Sequence, residues 1–144
     1  MARVKIEIPE KVLFRTRLRI RISDINYGGH VGNDSILSLL HEARLQWLKA
    51  NGMSELDFLG AGLIMSDAAI VFRSEIFHGE EVEITLAIDG ITRTGFELFY
   101  RIAHVKDGSE AVMAKTGMVF FDYANKKIAM IGEDRLRALT GPVE

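Results

Sequence analysis

Residues 13–22, LFRTRLRIRI, alternate strictly in their second half, with Leu18, Ile20 and Ile22 on one side and Arg17, Arg19 and Arg21 on the other. A period of two marks a half-buried strand. The period then changes. Over residues 35–52, SILSLLHEARLQWLKANG, Ile36, Leu39, Leu40, Ala43 and Trp47 recur at the spacing of one helical face, and Leu37 and Leu48 widen it. The first half of this segment is apolar nearly all round, which predicts burial on several sides. Asn33 or Asp34 is placed to cap its start and Asn51-Gly52 to end it. After a loop through Gly60 and Gly62 the period returns to two. AAIVFRSEIF (68–77) reads as a strand, and EVEITLAI (81–88) follows with Val82, Ile84, Leu86 and Ile88 alternating against polar neighbours. Asp89-Gly90 reads as a tight hairpin turn. GFELFYRIAHV (95–105) is the next strand, Lys106-Asp107-Gly108-Ser109 a second hairpin, and EAVMAKTGMVFFDY (110–123) the last long strand. EDRLRALTG (133–141) predicts a short helical tail.

One strand, one long buried helix and then four strands joined by hairpins make an α+β chain whose antiparallel sheet must cover a single helix. A sheet curled around that helix satisfies the pattern. The 144 residues fit one domain, taken as 1–144, with both prolines, Pro9 and Pro142, near its ends. An apolar fraction of 48% supplies a real core. Eighteen Lys and Arg against 20 Asp and Glu leave a net charge of −2, which argues against a nucleic-acid binder. With no cysteine, disulfides, thiolate metal sites and a Cys nucleophile are excluded. No apolar run approaches a membrane span, and MARVKIEIPEK lacks the apolar centre of a secretory signal, so the expectation is a cytoplasmic protein off the membrane.

The chemistry gathers in Asp24–Asp34, DINYGGHVGND, directly before the helix. A helix N-terminus presents unpaired N–H groups and a partial positive charge. The amides near Gly32 and Asn33 are therefore expected to face a carbonyl oxygen. Gly28, Gly29 and Gly32 either admit a substrate close to the backbone or simply make the turn. His30 reads as a general base or as a packed histidine bonded to the loop. Asp24 is expected to brace the loop by accepting backbone N–H bonds, with catalysis as its second role. Glu75 reads as a base in a cleft or as a solvent-facing strand acid. Glu42 reads as a helix-face partner of a cation or of a subunit. His41, His78 and His104 have no metal-ligand spacing and read as structural or solvated. The arginine row reads as a solvated sheet face, with phosphate binding as its alternative. Met65, Phe72 and Phe77 read as core or as the lining of a short tunnel.

The strand, the Asp-x-Asn loop with Gly-His-Val-x-Asn, and the helix carrying Glu42 and Arg44 resemble the hotdog-fold acyl-CoA thioesterases, in layout the 4-hydroxybenzoyl-CoA thioesterase group. The likeness continues through VFRSEIFHGEEVEI and the hairpin from Arg93 to Tyr123, so it takes in nearly the whole chain. Many members of that group carry a second carboxylate two residues after the first, assigned as nucleophile or base. Here that residue is Asn26, an amide that can neither accept a proton nor form an anhydride. The loop is also similar to that of the plant acyl-ACP thioesterases, whose set is Asp, Asn and His with a later Glu after an aromatic-Arg pair. On that likeness Asp24, Asn26, His30 and Glu75 are the catalytic candidates. Gly28, Gly29, Gly32 and Asn33 are the substrate-binding ones. The resemblance implies hydrolysis of an acyl-CoA or acyl-ACP to free acid and thiol, and a homodimer or homotetramer with its site between subunits; the absence of Cys and of paired His ligands adds the expectation of no metal and no cofactor. The alternatives are a hotdog hydratase or dehydratase and a non-catalytic acyl-CoA binding or sensing module, which Asn26 keeps open.

Overall fold

The computed structural model describes residues 4–140. The chain forms β1 (Phe14–Arg19), a short 3-10 turn (Ile22–Asp24), α1 (Asn33–Ala50), β2 (Gly62–Phe72), β3 (Glu81–Asp89), β4 (Gly95–His104), β5 (Glu110–Asp122), β6 (Lys127–Ile128) and α2 (Glu133–Thr140). All pairings are antiparallel, in the order β1-β3-β4-β5-β2, with β6 added beside β5. This is the α+β arrangement that the periodicity predicts: one sheet carrying one long helix on a face.

The two-residue period decides which side chains meet α1. Val82, Ile84 and Leu86 of β3, Leu98, Tyr100 and Ile102 of β4, and Val112, Ala114 and Phe120 of β5 form one core with Ile36, Leu39, Leu40, Ala43, Trp47 and Leu48 of the helix. Phe58 fills the far end, its ring centroid 5.7 Å from that of Phe120 and 6.1 Å from that of Trp47. Such aromatic pairs add about 0.5–1.5 kcal/mol each beyond the area they bury. The opposite sheet face carries a smaller cluster, Ala87 and Phe99, and Ile6 and Ile8 from the segment before β1 cover it.

Several boundaries differ from the sequence reading, each for a local reason. Helix α1 begins at Asn33 with Gly32 as N-cap, and no side chain caps it. Asn33 and Asp34 are already inside the first turn, because Gly32 is fixed at the half-in position: its N–H donates to Asp24 O (3.1 Å) and its carbonyl accepts from Ile36 N (3.2 Å). Leu37 is 39% exposed, so the helix is not buried all round. Strand β2 starts at Gly62 rather than Ala68. A Cβ at Gly62 would lie 2.3 Å from Tyr123 Cε2, so the glycine is there to clear the Tyr123 ring rather than to break the strand. β2 ends at Phe72, since Arg73 N and Ser74 N both turn to Ala111 O. Asp89-Gly90 is not a two-residue hairpin. β4 resumes only at Gly95, and Thr92 N closes the intervening loop onto Gly95 O (2.9 Å). Arg17 pairs with Glu83 across β1 and β3 (3.3 Å) and Arg19 donates to Gly79 O (2.8 Å), as a solvated sheet face would have it. Pro142 lies outside the described residues. No helix among them is long and apolar enough to cross a membrane.

Candidate active site

The loop before α1 is a small closed structure. Asn26 N donates to His30 O (2.9 Å), Gly29 N to Asn26 O (3.1 Å) and Gly28 N to Asn26 Oδ1 (2.9 Å). Gly29 sits at φ +87°, where a side chain would be strained. A bridge from Ile25 to Val31 closes the hairpin. Outside it, Asp24 is 7% exposed and its Oδ2 accepts Arg21 N (2.9 Å), while its carbonyl holds Gly32 N.

This hairpin is stitched to the connection between β2 and β3. Val31 N donates to Ile76 O (2.8 Å), and His30 bridges Phe77. The stitching lays two side chains distant in sequence against each other: His30 Nε2 lies 3.2 Å from Glu75 Oε2. His30 Nδ1 lies 3.2 Å from Val31 O. A carbonyl can only accept, so that contact puts the imidazole hydrogen on Nδ1 and leaves Nε2 and the carboxylate as two facing acceptors that one proton can bridge. The pair borders a cleft of ≈ 210 Å³ whose other walls include Ile36 from the first turn of α1, Phe72 at the end of β2, Ser74 and Val112.

The structure therefore brings together His30 and Glu75, with Asn26 one turn away: a Cβ on Gly28 would lie 3.2 Å from Asn26 Oδ1 and 3.5 Å from His30 Nε2. Asp24 is not brought to this cleft. It faces a separate depression with Arg19, Arg21, Ser38 and Glu42, where Glu42 accepts from Gln46 Nε2 (2.7 Å). Of the amides expected to face a carbonyl oxygen, that of Gly32 is engaged by Asp24 O, and those of Gly28 and Gly29 bond within the loop. The uncapped start of α1 leaves the amides of Asn33, Asp34 and Ser35, ahead of the first helical bond from Ile36 N to Gly32 O, as the donors with no side-chain cap. Of the tunnel candidates, Phe72 lines the cleft, Met65 lines a different one between α1 and β5, and Phe77 is 48% exposed in the turn.

Two constellations went unread in the sequence. Arg44, 6% exposed, donates to Glu55 Oε2 (2.9 Å) and Tyr100 Oη (3.0 Å), and Tyr100 Oη lies 2.7 Å from Thr116 Oγ1. Its signal was an arginine on the apolar stripe, four residues after Leu40 and three before Trp47. His104, 3% exposed, is held between Glu80 and Ser74. An isolated histidine in a strand gives no such signal.

Among the described residues no three His, Cys, Asp or Glu side chains converge as metal ligands. Exhaustive chelation is accordingly expected to leave any thioesterase rate unchanged. A rate restored only by added Zn²⁺ or Mn²⁺ would count against this.

A family model described as the thioesterase-like superfamily matches residues 20–139. No curated protein matches the chain. Similar solved structures include a 1,4-dihydroxy-2-naphthoyl-CoA thioesterase from Synechocystis, at 22% identity and a TM-score of 0.78, covering 88% of this chain and 94% of that one. PA2801 from Pseudomonas aeruginosa, a proposed thioesterase, aligns at 20% identity and a TM-score of 0.80 over 89% of this chain and 98% of its own. A thioesterase-superfamily protein from Jannaschia sp. CCS1 aligns at 19% identity and a TM-score of 0.76, over 92% and 80%. At these identities the likeness is one of fold, and the fold is the hotdog.

Proposed function

The chain belongs to the thioesterase-like superfamily, and we propose that it hydrolyses an acyl-CoA or acyl-carrier-protein thioester to free acid and thiol. The observation that carries this reading is the contact of His30 with Glu75 in a largely apolar cleft beside an uncapped helix N-terminus. Each part answers a need of the reaction. The α1 amides polarise the thioester carbonyl, a type of donor often worth about 10²–10³ in rate. The His30–Glu75 pair takes the proton of the water that releases the acid. Asn26 has committed its Oδ1 to the turn, so its Nδ2 hydrogens are what it offers a substrate. Asp24 acts as a brace: its carboxylate accepts Arg21 N and its backbone carbonyl holds Gly32 N at the start of α1.

The test is thiol release across short, long and aromatic acyl-CoAs and an acyl-carrier-protein conjugate. The aromatic arm is included because a similar structure is named for a naphthoyl-CoA. Release of thiol from at least one supports hydrolysis. Saturable binding with no release from any would favour the second reading, an acyl-CoA binding module, which the amide at Asn26 supports.

We also propose that the working unit is a dimer or a tetramer. Among the described residues β2 has β5 as its only neighbour in the sheet, which leaves an eleven-residue edge open there, and open edges of that length pair or are covered. Two apolar side chains on β2 itself are 44% (Met65) and 49% (Phe72) exposed. Phe72 also lines the cleft, so a second copy joined at β2 would reach the site. Sedimentation at micromolar concentration should show no monomer. A stable monomer that keeps its activity would remove the idea.

A further inference from the structure

The side chains Ser74, His104 and Glu80 stand in line. Ser74 Oγ lies 2.7 Å from His104 Nε2, and His104 Nδ1 bonds Glu80 Oε1. We propose that Ser74 is a nucleophile that takes up the acyl group, with His104 as its base and Glu80 as the residue that positions the imidazole. The inference rests on the thioester reading for its natural acyl donor and names that reaction's nucleophile.

The burial gradient fits the chemistry. Ser74 is exposed and lines the same cleft as His30 and Glu75. Behind it the His104 side chain is 4% exposed and that of Glu80 10%. An acid at the back, an imidazole between and a hydroxyl at the open end is the geometry by which a serine is activated, whatever the fold. Glu80 is fixed from two sides, since its second oxygen accepts Phe77 N (3.0 Å). Burial works to raise its pKa, but that amide, His104 and then Lys106 outweigh burial and hold it below the ordinary carboxylate value. An ionised Glu80 accepts the proton on Nδ1, which leaves Nε2 with its lone pair toward Ser74. The hydroxyl has a second acceptor, Glu110 O at 3.2 Å, but the imidazole is nearer. The backbone of His104 is pinned as well, by Ser109 O (2.8 Å) and Gly108 N (2.7 Å).

The steps balance without a further reagent except water. Ser74 Oγ attacks the thioester carbonyl carbon as its proton passes to His104 Nε2. The tetrahedral intermediate collapses, the C–S bond breaks and the thiolate leaves with its electron pair, giving an acyl ester on Ser74. Water then attacks that ester while the His30–Glu75 pair takes its proton. The C–O bond to Ser74 breaks, His104 returns its proton to Oγ, and the pair releases its own to solvent. Two bases beside one cleft thereby serve the two halves, and an acid at position 26 is not needed.

The experiment treats the full-length protein with a fluorophosphonate and maps the adduct by peptide mass. Label on Ser74, absent in Ser74→Ala and slowed about 10²-fold in His104→Gln, is the expected result. Ser74→Ala changes an exposed residue and so serves as the control should His104→Gln fail to fold. Absence of label at Ser74 in the parent, or equal labelling in a folded His104→Gln, overturns the proposal. Thiol release is measured in parallel. If the parent releases thiol and Ser74→Ala does so at the parent rate, the serine route is wrong and the hydrolase reading stands. If no thioester is turned over while Ser74 is labelled and p-nitrophenyl acetate is cleaved in a Ser74-dependent way, the nucleophile stands and the thioester reading falls.

Discussion

Exchanging Glu75 for glutamine is expected to slow thioester turnover by about 10²–10⁴-fold, the range for loss of a positioned general base. The argument is geometric. Glu75 Oε2 and His30 Nε2 face each other at 3.2 Å, and the Val31 carbonyl near Nδ1 directs Nε2 toward the carboxylate. Together they are a proton acceptor at the rim of the cleft. Glutamine keeps the shape and presents an amide that cannot take a proton. His30→Ala should cost a similar factor and Asn26→Ala about 10–10³, in the range of a lost polar transition-state contact. The pH–rate profile should lose a limb in Glu75→Gln and His30→Ala but not in Asn26→Ala, because an amide does not titrate. Asn26→Asp keeps an oxygen for Gly28 N and restores the acid of the commoner pattern in place of the amide donor, so a rate at or above the parent's would show that the acid replaces what the donor supplied. If Glu75→Gln, His30→Ala and Asn26→Ala all turn over substrate like the parent, the site has been placed wrongly. Where the acyl group passes through Ser74, Glu75→Gln should also accumulate the acyl-enzyme, which intact-mass measurement would detect.

Much of the fold was legible because its signals are local. Alternation marked β3 through β5 to within a residue or so, and the stripe from Ile36 to Trp47 marked α1. The misreadings arose where tertiary contacts override the local pattern. Gly62 looked like a loop residue because sequence cannot show the Tyr123 ring beside it. Asn33 looked like a cap because the bond that fixes Gly32 comes from Asp24, eight residues upstream. The candidate site was legible in part. Its loop stood out by composition, and the pairing of His30 with Glu75 was approached only through resemblance, since no pattern links positions 45 residues apart. The Ser74–His104–Glu80 line was out of reach for the same reason. Its members come from the β2–β3 connection and the end of β4, and only sheet pairing sets His104 opposite Val82. Sequence spacing carries information along one element; a site made across elements is readable only once the register is known.

Arg44→Ala is expected to cost about 3–5 kcal/mol of stability, the range for breaking a buried charged pair by removing one partner. Arg44 lies on the core face of α1, where its guanidinium holds Glu55 and Tyr100. Truncation would leave a half-buried carboxylate and a fully buried phenol short of a donor, and the Tyr100–Thr116 bond would lose the charge that polarises it. Arg44→Met, which fills the volume without a charge, paired with Glu55→Gln, should be much milder, because replacing both ends of a buried pair removes the unpaired charge. Urea unfolding at one fixed protein concentration measures the set, since assembly would otherwise shift the apparent stability. The pH dependence gives an independent check. Burial works to raise the Glu55 pKa, but the bonds from His41 and then Arg44 outweigh it and hold it below 4.5. A carboxylate with a depressed folded pKa contributes stability that is present above its unfolded value and lost as pH falls through the folded one. The parent should therefore lose stability on acidification below about pH 4.5, and Arg44→Ala should lose less over the same interval, having already forfeited part of that contribution. A parent-like midpoint and a parent-like acid slope in Arg44→Ala would mean that the arginine is held by the fold rather than holding it.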